Sequence, residues 1–544
     1  MLSYAAQMSL RKSGNVDSAY VIKNITCTTP TRASKYKKSY KDSKNKIKVI
    51  SNDEALSLLI EAQLTKHQYN LVRTQAKKHG CNIYPAYHLL RYAKNECYPD
   101  KSCLQITESC AEVKLQALLD ITTQRILKSQ GQGSIIDSVS DEYFEKLYLI
   151  SKWGCDGSSQ QSEYKQVFNS ECDSDSSIFF TSVVPLQLVS GDIDGPNKII
   201  LWQNPRPSSP RYCRPIKIQF IHETVDITLQ EKLCIENQIE KLQPSIFHFN
   251  DTEIMVKHIL MFTMIDGKVC NSVTSTKSAM KCYICGSTST AFNKIEKMID
   301  IKTNDLNLKF GLSILHAWIR FFECLLHLSY KIGIKKWQAR GDEEKRKVLE
   351  NKKRIQEDFK SKLGLLVPKC GYGTSNDGNT ARRFFENTEM SSSITGVDIE
   401  IINRFKIVLL TISSGYKIDL KKFNNYCILT AQKFVDKYPW YNMPTSVHKI
   451  LIHGTQIIEA LSILPIGQFS EESQEARNKD IKKYREGFSR KCSRIKNLED
   501  VFNRLIVISW GVKMFDKYSP NKFALSMSEI AHELSTLRKG EGVD

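Results

Sequence analysis

Apolar residues recur with a helical spacing in the first part of the chain and with a strand-like pattern in the part that follows. Residues 51–150 show the helical spacing, and Asn52 or Asp53 is positioned to cap the first helix. Four β-rich runs, separated by polar, glycine or proline breaks, lie between 146 and 225. A helical stretch at 229–242 precedes another strand that ends near Asp266. This succession predicts a mixed α/β layer fold.

The pattern from 286 to 445 is mainly helical. The stretch 308–333 is strongly apolar and predicts a buried helix, whereas 341–364 is rich in charges and predicts an exposed one. Two more helices are predicted at 471–494 and 497–516. No internal repeat is found, and the length of 544 residues leaves room for about three to four domains.

The chain is strongly basic, with a net charge of +19. Its hydrophobic content of 41% and aromatic content of 9% exclude wholesale disorder. A polyanionic partner accounts for the charge, because Lys and Arg displace counterions from phosphate; a merely soluble basic protein is the alternative. Eight Lys or Arg residues lie between Arg32 and Lys48 and predict a solvated tail that serves as a phosphate clamp or a nuclear-import signal.

Neither a secretion signal nor a membrane span is expected. The first fifteen residues lack a continuous apolar region, and no stretch of 18 apolar residues occurs in the chain. The 16 cysteines are therefore expected in a reducing compartment, where metal binding is a better interpretation of a close pair than a disulfide.

Two aspartates follow apolar runs directly and precede glycine. Asp156 is followed by Gly157, and Asp266 is followed by Gly267. Each aspartate alone is typical of a turn after a strand. Together, at the ends of strands in a basic protein, they predict a shared site for Mg²⁺ or Mn²⁺, which favour hard oxygen ligands.

A third carboxylate is predicted in the acidic stretch 470–475. Ser470 can cap a helix there, and a helix start by itself explains Glu471 and Glu472. Glu475 is different because it directly precedes a basic run, where a carboxylate beside DNA phosphates would need a bound cation. The lysines and arginine of that run are candidate DNA contacts: Arg477, Lys479, Lys482 and Lys483.

Two cysteines and two histidines have the spacing of zinc ligands. Cys282 and Cys285 form a CxxC pair, and His448 and His453 are separated by four residues. The four side chains make a Cys₂His₂ tetrahedral set that would join two distant segments around an inserted helical region. A chance CxxC with surface histidines is the alternative, and a thioredoxin-type redox pair fits less well because Gly286 and a polar loop follow.

The order of these motifs resembles the catalytic core shared by Transib transposases and the V(D)J recombination-activating protein. The shared elements begin with Asp156-Gly-Ser, Asp266-Gly-Lys and the CxxC, and continue with Leu315-His316. The later elements are Gly378-Asn379-Thr-Ala-Arg382-Arg383, the histidine pair and the stretch from Ser470 to Lys479. The resemblance covers roughly residues 60–515. Beyond His316 the match thins, and no counterpart of the nonamer-binding region is found unless the basic tail takes its place.

The resemblance implies an α/β RNase H-like catalytic core that is split by a mainly helical, zinc-tied insertion, with a helical N-terminal region and a helical C-terminus. We expect a flexible basic tail, a helical DNA-binding or dimerisation region, the first part of the core, the insertion, and a final helical region with the third carboxylate. The tail spans 1–50, the helical DNA-binding or dimerisation region 51–140, and the first part of the core 141–280. The insertion spans 281–455, and the final helical region spans 456–544.

The resemblance also implies the roles of the site residues. Asp156, Asp266 and Glu475 would bind two Mg²⁺ or Mn²⁺ ions, with Glu472 as a competitor of Glu475, and the Cys₂His₂ set would bind a structural Zn²⁺. Asn379, Arg382 and Arg383 would lie near DNA. The implied activity is that of a nuclear DDE transposase or recombinase, acting as a homodimer on double-stranded DNA with terminal inverted repeats. Such an enzyme cleaves by hydrolysis and joins ends by transesterification.

Two alternatives remain open from the sequence. One is a domesticated, catalytically silent relative that keeps the fold and binds DNA. The other is an RNase H-like nuclease that hydrolyses DNA without joining the ends.

Overall fold

The computed structural model describes residues 1–26, 29, 31, 34–38, 49–129, 147–159, 161, 166–169, 174–195, 197–249, 252–367, 376–511 and 533–534. These residues form two compact units, Met1–Asn95 and Glu96–Asp544. The basic run from Arg32 to Lys48 lies largely outside the described residues.

The first unit is helical throughout its described elements. Two helices, α1 (Leu2–Lys12) and α2 (Val16–Thr26), occupy part of the segment predicted to be a flexible tail. Three more follow: α3 (Asn52–Glu61), α4 (Lys66–Lys78) and α5 (Tyr87–Asn95). They enclose a small core around Ala55, Tyr69 and Leu90. Ser51 caps α3, rather than the predicted Asn52 or Asp53, because its side chain and that of Glu54 form a reciprocal capping box.

An eight-stranded sheet organises the second unit. Its strands are β1 (Leu104–Ile106), β2 (Cys110–Val113), β3 (Leu147–Ser159), β4 (Ser177–Ser190), β5 (Ile199–Gln203), β6 (Arg214–Gln219), β7 (Ser245–Phe249) and β8 (Thr252–Phe262). The order is β1-β2-β6-β4-β3-β8-β7, with β5 paired to β4. Strands β3 and β4 are buried along nearly their whole length, which explains their apolar sequences.

One strand pair in the sheet is parallel, namely β3 with β8; the other described pairs are antiparallel. Trp153 of β3 lies opposite Phe262 of β8, and their rings stack with centroids 4.2 Å apart. Parallel strands end at the same edge of a sheet. The residues that follow Trp153 and Phe262 along the chain therefore come together at this edge.

The second unit also contains the remaining described α-helices. They are α6 (Leu115–Ser129), α7 (Val225–Glu240), α8 (Gly267–Val273), α9 (Ile295–Ile299), α10 (Ile314–Lys331), α11 (Asp342–Leu363), α12 (Gly378–Glu386), α13 (Thr388–Thr395), α14 (Ile399–Ser413), α15 (Leu420–Lys437), α16 (Thr445–Ala460), α17 (Glu472–Gly487) and α18 (Arg494–Gly511). Helix α10 is buried over most of its length, whereas α11 buries Ile355 and Phe359 and exposes its charged residues. Among the described residues, no helix has the length and apolar character needed to cross a membrane.

The predicted mixed α/β architecture is confirmed, including the buried helix at 308–333 and the exposed charged helix at 341–364. The short strands β1 and β2 fall in a region predicted to be helical. Three or four residues give too little alternation to separate a strand from a helix by pattern. Strand β2 is fixed by pairing with β6, about a hundred residues away, and β1 by pairing with β2. The predicted helix at 497–516 begins at Arg494 and is described as far as Gly511.

Candidate functional site

Asp156 lies in the last part of β3, directly after the buried Cys155. It pairs with Phe180 of β4 in the sheet, and its side chain is partly buried. The Nδ2 atom of Asn478 donates a hydrogen bond to its Oδ2 atom at 2.8 Å. Because Asn478 belongs to α17, this bond joins the strand to the helix that carries Glu475.

Asp266 follows β8 and is the N-cap of α8. Its Oδ1 atom accepts a hydrogen bond from the backbone N–H of Val269 at 2.8 Å. An aspartate is favoured at this position because its carboxylate satisfies a free N–H at the positive end of the helix. The cap hydrogen bond uses Oδ1 and leaves Oδ2 free of it. Asp266 can therefore both cap the helix and act as the predicted metal ligand.

The two aspartates are brought together by a close contact between their strands. The N–H of Met264 donates to the carbonyl of Trp153 at 3.1 Å. A Cβ atom on Gly154 would lie 1.8 Å from the carbonyl oxygen of Met264, so only glycine allows this approach. Gly154 precedes Asp156 by two residues, and Met264 precedes Asp266 by two residues. Asp266 is therefore near enough for its charge to raise the pKa of Asp156.

Glu475 lies in the first turn of α17, and its side chain is 43% exposed. Its Oε2 atom is 3.9 Å from the Nε2 atom of His316, which is near the start of α10. Two interactions fix the segment just before α17. Lys152 is completely buried in β3 and donates hydrogen bonds to the carbonyls of Gln468 and Ser470, at 2.8 and 2.7 Å.

The three predicted carboxylates influence one another electrostatically. Burial, followed by the negative charges of Asp266 and Glu475, raises the pKa of Asp156 well above its usual range. Burial also raises the pKa of Glu475, while the nearby His316 opposes that rise. A bound divalent cation would relieve this repulsion, and carboxylate oxygens are the ligands that Mg²⁺ prefers. Their role as Mg²⁺ ligands stays a prediction, because among the described residues the group whose ligand atoms lie close enough together to hold a metal ion is the Cys282, Cys285, His448 and His453 set.

Glu223 is a fourth carboxylate at this place. It is buried and packs on Gly157, where a Cβ atom would lie 2.6 Å from its Oε2 atom. Oε2 accepts a hydrogen bond from Lys268 at 2.8 Å, whereas the buried Oε1 has no hydrogen-bond partner among the described residues. Burial raises the pKa of Glu223, and Lys268 partly offsets the rise. Glu223 was not predicted from the sequence because it lies in a loop without a motif.

The sequence analysis also assigned no role to the pair formed by Glu471 and His316. Glu471 is buried, and its Oε1 atom accepts hydrogen bonds from the backbone N–H and Nδ1 of His316 at 3.0 and 2.9 Å. Burial alone lowers the pKa of His316, but the hydrogen bond and charge of Glu471, with the charges of Glu475 and Asp266, raise it to about 9. Burial raises the pKa of Glu471, and the bonds from His316 outweigh this effect and lower it. His316 is therefore a cation at neutral pH.

The alternative third ligand, Glu472, is directed elsewhere. It forms an ion pair with Arg382 of α12, whose guanidinium also lies over the ring of Trp318, 5.8 Å from its centroid. The negative charge of Glu475, and not that of Glu472, is among the causes that raise the pKa of Asp156. Of the two glutamates, Glu475 is the better candidate for the third ligand.

The predicted zinc ligands meet in a second cluster. The ligand atoms of Cys282, Cys285, His448 and His453 all lie within 4.8 Å of one another. The Sγ atom of Cys285 is 3.4 Å from Nε2 of His448. The buried Nε2 atom of His453 has no hydrogen-bond partner among the described residues, which leaves its lone pair for a metal ion. Two thiols and two imidazoles fit a structural zinc ion.

Neighbouring side chains hold the two histidines in ligand geometry. The Oε1 atom of Gln456 lies 3.1 Å from Nδ1 of His453, and a hydrogen bond there would leave Nε2 unprotonated. The ring of Phe292 stacks on His448 with centroids 3.9 Å apart. This cluster could hold a metal such as zinc, and it joins the loop after α8 to helix α16.

The predicted DNA contacts differ in exposure. Asn379, Arg383, Lys479, Lys482 and Lys483 are exposed, while Arg382 is partly buried in its ion pair with Glu472. Arg477 was predicted as a DNA contact, and the structure contradicts this. Its side chain is 0% exposed and bonds to Asp480 and to the carbonyl of Cys213 at 3.1 and 2.9 Å. A run of basic residues does not reveal which of them face the protein interior, and helix α17 turns Arg477 inward.

Asp156, Asp266, Glu475 and Glu223 are called the acidic cluster below, and Cys282, Cys285, His448 and His453 the zinc-type cluster. A cavity of about 850 Å³ opens beside the acidic cluster. Asp266 and His316 line it near the carboxylates, and Cys282 and Tyr283 line it near the zinc-type cluster. Helices α8, α10 and α16 form its walls. Residues of both clusters thus line one cavity.

Neither a protein-family profile nor a curated protein sequence matches the chain. Among solved structures, the chain is similar to a Drosophila P element transposase strand transfer complex, with 10% sequence identity and a TM-score of 0.25. The match covers 88% of this chain and 96% of the other. A likeness at this level does not define a family, a fold or a function.

Proposed function

We propose that this protein is a DDE-type DNA transposase or recombinase that cleaves and joins DNA at element ends. The observation that carries the proposal is the group of partly buried carboxylates at one sheet edge. Burial, followed by the negative charges of the nearby Asp266 and Glu475, raises the pKa of Asp156 there. A strongly basic chain with such a group is suited to a phosphodiester substrate and divalent cations.

The order of the sheet supports an RNase H-like core. The central strand β3 pairs with β4, β4 pairs with β6, and helix α7 leads through β7 to β8, which is parallel to β3. The segment between Asp266 and Glu475 is helical in its described part and contains the zinc-type ligands. It corresponds to the proposed zinc-tied insertion.

Asp156, Asp266 and Glu475 would hold two Mg²⁺ ions. Bound in this way, the ions would polarise the scissile phosphate and stabilise the attacking and leaving oxygens. Asn478 and the N–H of Val269 orient two of these carboxylates through single oxygens, leaving the others available. Protonated His316, held by Glu471, keeps positive charge beside Glu475.

Two reactions follow one another in the proposed activity. In hydrolysis, water attacks a backbone phosphorus, the bond from phosphorus to O3′ breaks, and a 3′-hydroxyl and a 5′-phosphate are released. In strand transfer, that 3′-hydroxyl attacks a second phosphorus in line, forming one phosphorus–oxygen bond as another breaks. The protein forms no covalent intermediate in either step.

The test is a cleavage and joining assay with the full chain, Mg²⁺ or Mn²⁺, and oligonucleotides carrying candidate terminal inverted repeats. Asp156→Asn and Asp266→Asn should each lower the cleavage rate by about three orders of magnitude, since the ions they hold contribute several kcal/mol to transition-state stabilisation. DNA affinity should be kept, because removing a negative charge does not weaken contacts to phosphate.

Asp342→Asn is the matched control, because the Asp342 side chain is fully exposed on α11. It should cleave like the wild type. Equal loss of binding and cleavage in the Asp156 and Asp266 variants would show that these residues are structural. Nicking without joining would identify a nuclease, and binding without nicking would identify a silent DNA-binding protein.

The proposal includes double-stranded DNA as the substrate, a nuclear location and a homodimer, since two element ends have to be held together. The exposed Asn379, Arg383, Lys479, Lys482 and Lys483 are the proposed DNA contacts. Arg382 would join them on release from Glu472.

A further inference from the structure

The cavity between the acidic cluster and the zinc-type cluster has a positively charged wall. Its described lining includes Lys268, Lys277, Arg320 and Lys449, against a single carboxylate, that of Asp266. Two of these cations have partners of their own, since Lys268 pairs with Glu223 and Arg320 pairs with Glu323. Lys277 and Lys449 form no ion pair in the part of the chain that the structure describes.

Lys449 is the unusual member of this wall. It is only 9% exposed, and the hydrogen bond found for its Nζ atom goes to the hydroxyl of Tyr283 at 3.3 Å. The ammonium group also lies over the Tyr283 ring, 5.1 Å from its centroid. A phenol is neutral and does not compensate a buried charge. Buried cations without a counter-charge are costly, so this position is suited to a bound anion.

Nearby sulfur atoms do not supply the missing negative charge. Burial raises the pKa of the neighbouring Cys270 thiol to about 11, so this group is neutral at physiological pH. Two thiolates bound to one Zn²⁺ ion would also sum to zero charge. Asp266 forms no ion pair with Lys449 and is directed to the N-terminus of α8.

We propose that this cavity binds a phosphate group through Lys449 and Lys277. The proposal rests on the proposed function for the identity of the ligand, which is then a backbone phosphate of DNA close to the one that is cleaved. Asp266 and His316 line the same cavity, so a strand whose scissile phosphate lies at the acidic cluster would place a neighbouring phosphate inside it. The zinc-type cluster would fix the wall that carries Lys449, because Lys449 directly follows the ligand His448.

The test uses the zinc-loaded full chain with Ca²⁺ in place of Mg²⁺, so that binding is measured without cleavage. The probes are two labelled thymidine decanucleotides, one with phosphodiester linkages and one with its central linkages replaced by neutral methylphosphonates. Fluorescence anisotropy at fixed ionic strength gives both affinities. The wild type should bind the neutral probe about tenfold or more weakly, as expected for loss of a hydrogen bond between charged groups.

In Lys449→Met the difference in affinity between the two probes should become much smaller, and Lys449→Arg should restore much of it. Lys277→Met, at an exposed position, should reduce the difference without a risk to folding. Lys421→Met, at an exposed position on α15, removes the same charge outside the cavity and should behave like the wild type. Zinc content is measured for each variant because Lys449 adjoins His448.

A difference between the probes that is the same in Lys449→Met, Lys277→Met and the wild type would overturn the proposal. If inorganic phosphate displaces the labelled probes, but the difference between the probes does not depend on Lys449, the assignment of the ligand to DNA would be overturned. If Lys449-dependent discrimination is found but the wild type neither nicks nor joins DNA with Mg²⁺, the phosphate site stands and the proposed enzymatic function fails. If the wild type cleaves and joins DNA but the difference between the probes does not depend on Lys449, the proposed enzymatic function stands and the phosphate site fails.

Discussion

Single residues determine how the candidate site tolerates so much charge. The candidate site contains four carboxylates, those of Asp156, Asp266, Glu475 and Glu223. The neighbouring cations, His316 and Lys268, each form a hydrogen-bonded ion pair with one glutamate. Glu471 keeps His316 protonated, and Lys268 neutralises Glu223. The cations limit the repulsion, and burial followed by the charges of Asp266 and Glu475 still raises the pKa of Asp156 well above its usual range.

Lys152 is a buried cation whose charge state should depend on pH in the folded protein. Burial lowers its pKa from 10.5 to about 7. Between these two values the unfolded chain binds a proton that the folded chain does not, so the contribution of Lys152 to stability increases as pH rises. The free energy of unfolding of the wild type, relative to Lys152→Met, should rise between pH 7 and 10 by up to about 1.4 kcal/mol per pH unit.

Urea denaturation of the two proteins at several pH values measures this difference. Lys421→Met is the control, since an exposed lysine should give no pH-dependent difference in this range. Parallel pH profiles for the wild type and Lys152→Met would contradict the lowered pKa.

At the scale of elements, the site depends on the close approach of β3 to the chain leaving β8. Parallel pairing extends as far as Trp153 and Phe262. Beyond this point the contact between Gly154 and Met264 keeps the two chain segments close, and each segment reaches its aspartate two residues later. Helix α17 is joined to this edge by the Asn478 bond and by the clamp of Lys152 on Gln468 and Ser470. Gly467 adds a second close contact, because a Cβ atom there would lie 2.1 Å from the carbonyl oxygen of Ser414.

Gly154→Ala should separate the strands and disturb the carboxylate group. The new Cβ atom would meet the Met264 carbonyl and carbon atoms at 1.8 to 2.7 Å, which backbone atoms cannot avoid without moving. We expect a loss of about 1–3 kcal/mol of stability, as for overpacked interiors, and a larger proportional loss of cleavage. Thermal unfolding and the Mg²⁺-dependent cleavage assay measure the two effects.

Gly487→Ala is the matched control, because a Cβ atom at the end of α17 would meet nothing within 4 Å. It should leave both stability and cleavage close to those of the wild type. If Gly154→Ala kept full activity, the close approach of the strands would not be needed to place the aspartates.

At the scale of the whole second unit, the zinc-type cluster connects two segments that are far apart in sequence. Cys282 and Cys285 follow α8 closely, and His448 and His453 lie on α16, which precedes the Glu475 helix. A structural metal contributes its binding free energy to folding. The cluster would therefore fix the helical region relative to the sheet edge that carries the aspartates.

Cys282→Ser should lose the bound zinc and lower the thermal midpoint by several degrees or more, because His448 and His453 are buried and would be left without their ion. Elemental analysis gives the zinc content, and calorimetry gives the midpoint. Cys492→Ser, at an exposed cysteine, should change neither. A zinc-free Cys282→Ser protein with an unchanged midpoint would refute the structural role of the metal.

The sequence by itself determined the elements and the candidate chemistry of this protein. Apolar periodicity predicted the buried strands and helices, and fixed spacing predicted the Cys₂His₂ set, because local pattern and motif are properties of short segments. Asp156, Asp266 and Glu475 were recognised in the same way, and their catalytic roles stay predictions.

Only the tertiary structure decided which side chains meet. Glu471 and Glu472 are neighbours in one acidic stretch, yet Glu471 pairs with His316 and Glu472 with Arg382. Arg477 belongs to the basic run that follows, yet its side chain lies in the interior. The tertiary structure also brought in Glu223 and placed Lys449 in a cavity wall. The physical reason is that the face a helical residue presents, and the partner it finds there, depend on sheet register and on packing between segments hundreds of residues apart.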